Sequence, residues 1–319
     1  MNSTRSTARA DNVLPYLSAG ILAHILIGSY PVFGKRAIAE VPKFSLVFIA
    51  SMAITTTAIL WMRYREGVTW QRYLHVLRRE RILWLFVAVV SLRAVTNIIS
   101  ISLTRAVWVQ LINIMAPFPV AFLGAWFFAQ PIPRFTLPAV LLSTTGAALM
   151  LVQDWSQLTN GFTPQDALGL GLATVSMLAF AFYYQLIRRS RLRAATSGIV
   201  LFQQGMAMTL SFLVLTLVTG EDWSAWAHMS GGGWASALIY IIFVQAGGNL
   251  SQVIAVGGVS PALITNFMAL RLLSAMVLAA IILGETLVTP LQWLGAAIVI
   301  ATVTAYLWFQ GRSHSRHPT

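Results

Sequence analysis

Two arginines, Arg93 and Arg271, stand deep inside long apolar runs of the sequence. Each is about eleven residues from the ends of its run, roughly 16 Å along a helix, too far for its side chain to reach water at either end. A charge at that depth costs about 2.5 to 3.5 kcal/mol on insertion scales, and such residues face a bundle interior or a wet cavity. No Asp or Glu lies within any apolar run to neutralise them. An interior holding two such cations favours a carboxylate, a phosphate or a zwitterion and repels cations. The alternative is structural, with the guanidinium groups tied to backbone carbonyls or side-chain amides.

Other polar residues recur at helical spacing: Arg93, Asn97, Ser100 and Thr104; Gln110, Asn113 and Pro117; Gln245, Asn249 and Gln252. Each set shares one helix face. It either lines a cavity or joins helices through amide hydrogen bonds. The candidate substrate-binding residues are therefore Arg93, Asn97, Gln110, Asn113, Gln245, Asn249 and Arg271. Gly20, His24, Gly28, Pro31 and Lys35 form a further stripe, in which Pro31 breaks or kinks the helix. His24, Pro31 and Tyr183 are candidates for a gate or proton relay. Packing is the alternative for His24, and also for Tyr183, Tyr184 and Tyr240, which can otherwise stack on a planar substrate. The pairs Gly247-Gly248 and Gly257-Gly258 permit close helix approach or local unwinding.

The elements that hold these residues must be built for lipid. Of 319 residues 57% are hydrophobic and 9% charged, whereas a soluble domain carries about 25% charged residues. A span takes roughly 20 mostly apolar residues. Runs of that kind cover 14–33, 44–62, 82–103, 106–128, 135–152, 167–187, 197–218, 234–256, 260–283 and 291–309. Barrel strands would be about half as long and would alternate polar with apolar. The expected fold class is all-α, a polytopic membrane protein with ten transmembrane helices. The first run has full membrane length and no convincing cleavage site, so it reads as a retained helix.

The net charge of +12 is carried by short basic clusters between runs rather than by one polar domain, which argues for membrane topology and against nucleic acid. Arg5, Arg9, Arg63, Arg65, Arg72, Arg78, Arg79, Arg81, Arg134, Arg188, Arg189, Arg191, Arg193, Arg312 and Arg316 fall on one side. Lys35, Arg36, Lys43 and Arg105 fall on the other, with the acidic pair Glu221 and Asp222. The positive-inside rule then puts both termini in the cytoplasm and the protein in the cell inner membrane. Ten tryptophans, among them Trp61, Trp84, Trp126, Trp226 and Trp293, lie at or near run ends as interfacial anchors. Trp108 alone lies a little inside a run.

The fourth and fifth runs resemble the ninth and tenth, with a polar break at Ala129-Gln130-Pro131 or Gly284-Glu285-Thr286 and an offset of about 155 residues. Five helices per copy is odd, so the second copy enters from the opposite side, an inverted duplication. The residues Gly28-Ser29-Tyr30-Pro31-Val32-Phe33-Gly34-Lys35, the stretch 104–117 ending Ile114-Met115-Ala116-Pro117, and Ile282-Leu283-Gly284-Glu285-Thr286-Leu287 resemble the EamA-type drug/metabolite transporter family. That resemblance covers nearly the whole chain. It implies ten helices in two five-helix repeats around a central cavity, and export of metabolites such as amino acids. The family's frequent Glu closing the fourth helix is Gln130 here, and the arginine often found in its second helix is missing from 44–62.

The expected organisation is a cytoplasmic tail at 1–13, a first repeat at 14–153, a loop at 154–166, a second repeat at 167–310 and a cytoplasmic tail at 311–319. The reading is a secondary transporter or facilitator for a small anionic or zwitterionic metabolite, an exporter working by alternating access, with an amino acid as the first expectation. A lipid or lipid-phosphate flippase on the same fold is the alternative. A membrane-embedded enzyme fits less well, because nine scattered Asp and Glu form no catalytic or metal cluster. The absence of Cys excludes disulfides, thiolate metal sites and cysteine nucleophiles. No catalytic residue, cofactor or metal is expected. The expected partners are a small-molecule substrate and the lipid bilayer, and a homodimer is compatible with the sequence.

Overall fold

The computed structural model describes residues 13–104, 109, 112, 113, 115–129, 132, 135–151, 163–193, 195–265, 267–278, 281, 282 and 289–315. Gln110, Gln130, Trp108 and Glu285 lie outside them. In chain order the helices are α1 Leu14–Gly28, α2 Tyr30–Ile38, α3 Lys43–Leu60 with a π turn Trp61–Arg65, α4 Trp70–Arg79, α5 Ile82–Leu103, α6 Pro117–Phe128 and α7 Thr136–Leu151. There follow α8 Pro164–Arg193, α9 Ser197–Val218, a short 3-10 turn Trp223–His228, and α10 Gly231–Ile239 running through a π segment Tyr240–Gly247 into α11 Gly248–Gly258. The last are α12 Pro261–Thr265, α13 Met268–Leu278 and α14 Pro290–Ser315.

The described residues are helical, with no strand among them. Six stretches are long and apolar enough to cross a membrane: Leu14–Ile38, Lys43–Arg65, Ile82–Leu103, Pro164–Arg191, Ser197–Val218 and Gly231–Gly258. Pro117–Phe127 and Pro290–Tyr306 are apolar but shorter. Burial is inverted relative to a soluble protein. Leu22, Ile25, Leu92, Trp126, Leu210 and Phe243 are exposed, while His24, Gln185, Gln204, Asn249 and Gln252 are buried. Exposed apolar surface on this scale calls for an apolar solvent, so the fold is compatible with a multi-pass membrane protein.

Several boundaries differ from the sequence reading, each for a local reason. The first run extends to Ile38 but breaks at Ser29, whose hydroxyl donates to the Leu26 carbonyl at 2.6 Å. Pro31 is the second residue of α2, where a missing N–H removes no helical bond. The ninth run is interrupted between α12 and α13. Between the second and third runs lies a helix the apolar pattern did not show, α4. Its Thr69 cap accepts from the Arg72 amide, Tyr73 and Val76 face inward, and Arg72, Arg78 and Arg79 face out.

The helices pack in pairs: α3 on α9, α5 on α8, α1 on α11 and α7 on α14, with α5 also on α9, α3 on the π segment, α1 on α13 and α8 on α6. At the α3/α9 crossing a Cβ on Gly205 would lie 2.8 Å from the Thr55 nitrogen and 2.9 Å from its Cα, so the two backbones touch. Beside it Thr209 Oγ1 donates to Ser51 Oγ at 3.0 Å and lies 3.5 Å from Thr55 Oγ1, a residue 154 positions earlier.

All six described acidic residues are engaged at helix ends. Glu66, just past α3, accepts the Gly198 amide of α9 at 3.1 and 3.2 Å and the Trp61 indole at 3.1 Å. Glu221, just past α9, accepts the Phe44 and Ser45 amides of α3 at 2.9 and 2.7 Å. Glu40 accepts from the Ser230 amide and hydroxyl before α10, and those bonds hold its carboxyl below the usual carboxylate range. Asp166 joins Thr163 to Thr104, Asp222 caps Ser224, and Glu80 pairs with Arg193 at 3.1 Å. A carboxylate on the orphan N–H groups of a helix N-terminus is stabilising. These contacts sort the helix ends into two faces. One holds Glu66, Glu80, Arg188 and Arg193; the other holds Glu40, Ser45, Glu221 and Trp226, whose indole donates to Ser45.

Candidate functional site

Arg271 lies in the first turn of α13, just after the interruption that separates it from α12. Its Nε donates to His24 Nδ1 on α1 at 2.7 Å. A guanidinium N–H can only donate, so Nδ1 must accept and the imidazole proton sits on Nε2. That nitrogen is 2.9 Å from the Ile264 carbonyl at the end of α12, which accepts the proton. The Ile264 carbonyl, which also accepts the Phe267 amide at 3.0 Å, thus fixes the His24 tautomer, and His24 in turn orients Arg271. Gly28, one turn along α1 from His24, allows this approach. A Cβ there would collide with Ser274 Oγ and lie 2.6 Å from the Arg271 carbonyl oxygen.

The direction of donation propagates from Arg271. One Nη2 proton goes to Gln252 Oε1 on α11 at 3.0 Å, so the Gln252 amide nitrogen faces the other way and donates to the Tyr183 hydroxyl at 2.8 Å. Tyr183 on α8 passes its own proton to Gln204 Oε1 on α9 at 2.8 Å. Gln204 donates to Asn249 Oδ1 at 2.6 Å; Asn249 donates to the Gln245 carbonyl at 2.7 Å and its side-chain oxygen at 3.2 Å; Gln245 donates to Tyr240 at 2.6 Å. Four separate elements, α13, α8, α9 and the continuous helix of the π segment and α11, are tied by one chain in which each amide oxygen already accepts. A fully satisfied buried network of this kind rigidifies what it connects.

Arg93 reaches the same place from α5. Its guanidinium carbon is 4.5 Å from the Phe180 ring centre and 4.7 Å from that of Tyr183. The Arg271 guanidinium carbon is 5.5 Å from the same Phe180 ring. Residues 180, 183 and 184 share one face of α8 because they stand three and four positions apart. Phe180 stacks on Tyr183 at 5.9 Å and meets Tyr184 edge-on at 4.5 Å. The two cations over one ring are no more than about 10 Å apart, where like charges repel by on the order of 2 kcal/mol at an effective dielectric near 20. No carboxylate among the described residues pairs with either. The Tyr184 hydroxyl, buried within electrostatic reach of both, makes no hydrogen bond of good geometry. Both arginines are deep among the helices yet keep some open surface.

A solved crystal structure of a protein is similar to this chain with a TM-score of 0.77 and 16% identity, over 93% of this chain and 98% of that one. That likeness shows the fold alone. No family model and no curated protein matches the chain.

Of the residues singled out by sequence, the structure brings Arg93, Arg271, His24, Tyr183, Gln245 and Asn249 into one connected cluster. Asn97 follows Arg93 by one turn of α5 and is half-buried. Asn113 is half-buried, and its carbonyl accepts from the Ala116 amide ahead of α6. Ser100 and Thr104 bond to Gly169 and Asp166, fastening α5 to α8. Two members were missed. Phe180 carries no polar signal in an apolar run, and Gln204 stands beside Gln203 without a helical stripe, though a glutamine pair inside a membrane run is itself the clue.

Proposed function

We propose that the protein is a secondary transporter for a small anionic solute, of the EamA-type drug/metabolite fold, with Arg93 and Arg271 as its binding cations. The observation that carries this reading is the placement of two guanidinium groups over Phe180, deep in the bundle, with no described carboxylate beside them. Among the described residues no metal-binding cluster exists.

Ten helices in two inverted five-helix repeats fit the packing. Exchange of the halves carries α5/α8 onto α1/α11, α9/α5 onto α3/π segment, α1/α13 onto α8/α6, and α3/α9 and α7/α14 onto themselves. The reciprocal carboxylates support the same exchange: Glu66 holds the start of α9 as Glu221 holds the start of α3. Alternating access is then a rocking of the halves about a midplane site. The Ser29 break beside Pro31 provides a hinge for a gate. His24 positions Arg271, since its Nδ1 is already occupied. The face bearing Glu66, Glu80 and the Arg63–Arg81 and Arg188–Arg193 clusters is cytoplasmic, both termini included, in the cell inner membrane.

The test is uptake of labelled organic anions, amino acids and cations into proteoliposomes by the wild type and by Arg271→Gln and Arg93→Gln, each checked for monodispersity. Anion movement that is lost in Arg271→Gln is expected. Movement of cations, or normal transport by both variants, would leave the arginines structural and sink the reading.

A further inference from the structure

We infer that the site takes a compact organic dianion, such as a short dicarboxylate or a phosphate monoester, in preference to a zwitterion. The inference rests on the anion-site reading above and deepens it. Its basis is the inventory of donors and acceptors around Arg93 and Arg271. The amide oxygens nearest the cations already accept: Gln252 from Arg271, Gln204 from Tyr183, Asn249 from Gln204. The Phe180 and Tyr183 rings, which are alternative hosts for a cation, lie under the guanidiniums. The carboxylates Glu40, Glu66, Glu80, Asp166, Glu221 and Asp222 are engaged at the helix ends. Apart from the Tyr184 hydroxyl and the Asn97 amide, what remains unengaged is donor capacity. Arg271 uses Nε and one Nη2 proton, leaving its Nη1 protons and one on Nη2, and Arg93 is held by ring faces.

An ammonium group is a donor only. Brought into this place it would meet two cations, beside amide oxygens of Gln252, Gln204 and Asn249 that already accept. A solute with two anionic groups meets two separate guanidinium forks, each shaped for bidentate contact with a carboxylate or phosphate. It would also cancel the mutual repulsion of the arginines, which a monoanion does only in part. Charge, and not only shape, therefore selects the solute.

The experiment is uptake by proteoliposomes of labelled succinate, glycerol phosphate, butyrate and alanine at neutral pH. Succinate or glycerol phosphate is expected to exceed butyrate and alanine by about tenfold or more, with the winner of the two identifying the source of the dianion. In Arg93→Gln the ratio of the dianion to butyrate should fall to about one, while butyrate uptake still depends on Arg271. Arg93→Lys, which keeps the charge if Arg93→Gln folds poorly, should retain the preference. Alanine uptake equal to that of the dianions, or a preference unchanged in Arg93→Gln, overturns the dianion assignment and leaves the anion site standing. Uptake of all four solutes that ignores Arg271→Gln removes both.

Discussion

Tyr183 has two functions that deletion of a single oxygen separates. Its ring underlies Arg93, and its hydroxyl relays the hydrogen-bond chain from Gln252 to Gln204. Tyr183→Phe keeps the ring and strands a donor on Gln252 and an acceptor on Gln204, each buried. It should lower stability by about 1 to 3 kcal/mol, read as thermal unfolding in detergent, while anion uptake persists. An unchanged melting temperature would mean that the chain of amides does not tie the helices. The two arginines should behave oppositely in the same assay. Arg271→Gln removes donors to His24 and Gln252 and should destabilise. Arg93→Gln removes a like charge facing Arg271 without stranding a hydrogen-bonded partner, and should be neutral or stabilising by up to about 2 kcal/mol. If Arg93→Gln unfolds the protein, Arg93 is a structural member of the core and not an open binding cation.

At the scale of helices, α3 and α9 form a reciprocal pair. Each is held at its N-terminus by the glutamate that follows the other, Glu221 for α3 and Glu66 for α9. Charge-assisted bonds of this kind contribute roughly 1.5 to 3 kcal/mol. Glu66→Ala and Glu221→Ala should each destabilise by about that amount. The 18 residues of α3 separate the two sites by about 27 Å, so the double variant should be additive within about 0.5 kcal/mol. Coupling larger than that, measured by thermal or chemical unfolding, would mean that the clamps communicate through the helix pair. Neither glutamate was legible as a clamp, because a residue in a loop carries no sign of which distant helix end it meets. Helix α4 was hidden for a related reason: its ten residues sit among arginines that read as a connecting loop. The interruption before α13 was hidden by a run that is apolar on both sides of it. The residues that did stand out, Arg93, Arg271 and the Gln245, Asn249, Gln252 stripe, are those whose polarity conflicts with their surroundings. Their neighbour Phe180 agrees with its surroundings and so gave no signal.

The whole molecule has two faces with different charge. One carries Glu66, Glu80, helix α4 and the Arg188–Arg193 cluster, and the other carries Glu40, Lys43, Glu221 and the Trp226 turn. The interhelical contacts fix which loops share a face, and the proposed topology puts the arginine-rich first face in the cytoplasm. Because the chain has no Cys, a single introduced thiol reports its own side without background. His75 on α4 and His228 in the turn before α10 are both exposed and neither belongs to the candidate site. In intact cells a membrane-impermeant maleimide should label His228→Cys and leave His75→Cys untouched until the membrane is opened. Labelling of both from outside would break the two-sided arrangement. The reverse pattern would keep the fold and turn it over, placing helix α4 and the Arg188–Arg193 cluster outside the cell and overturning the proposed orientation.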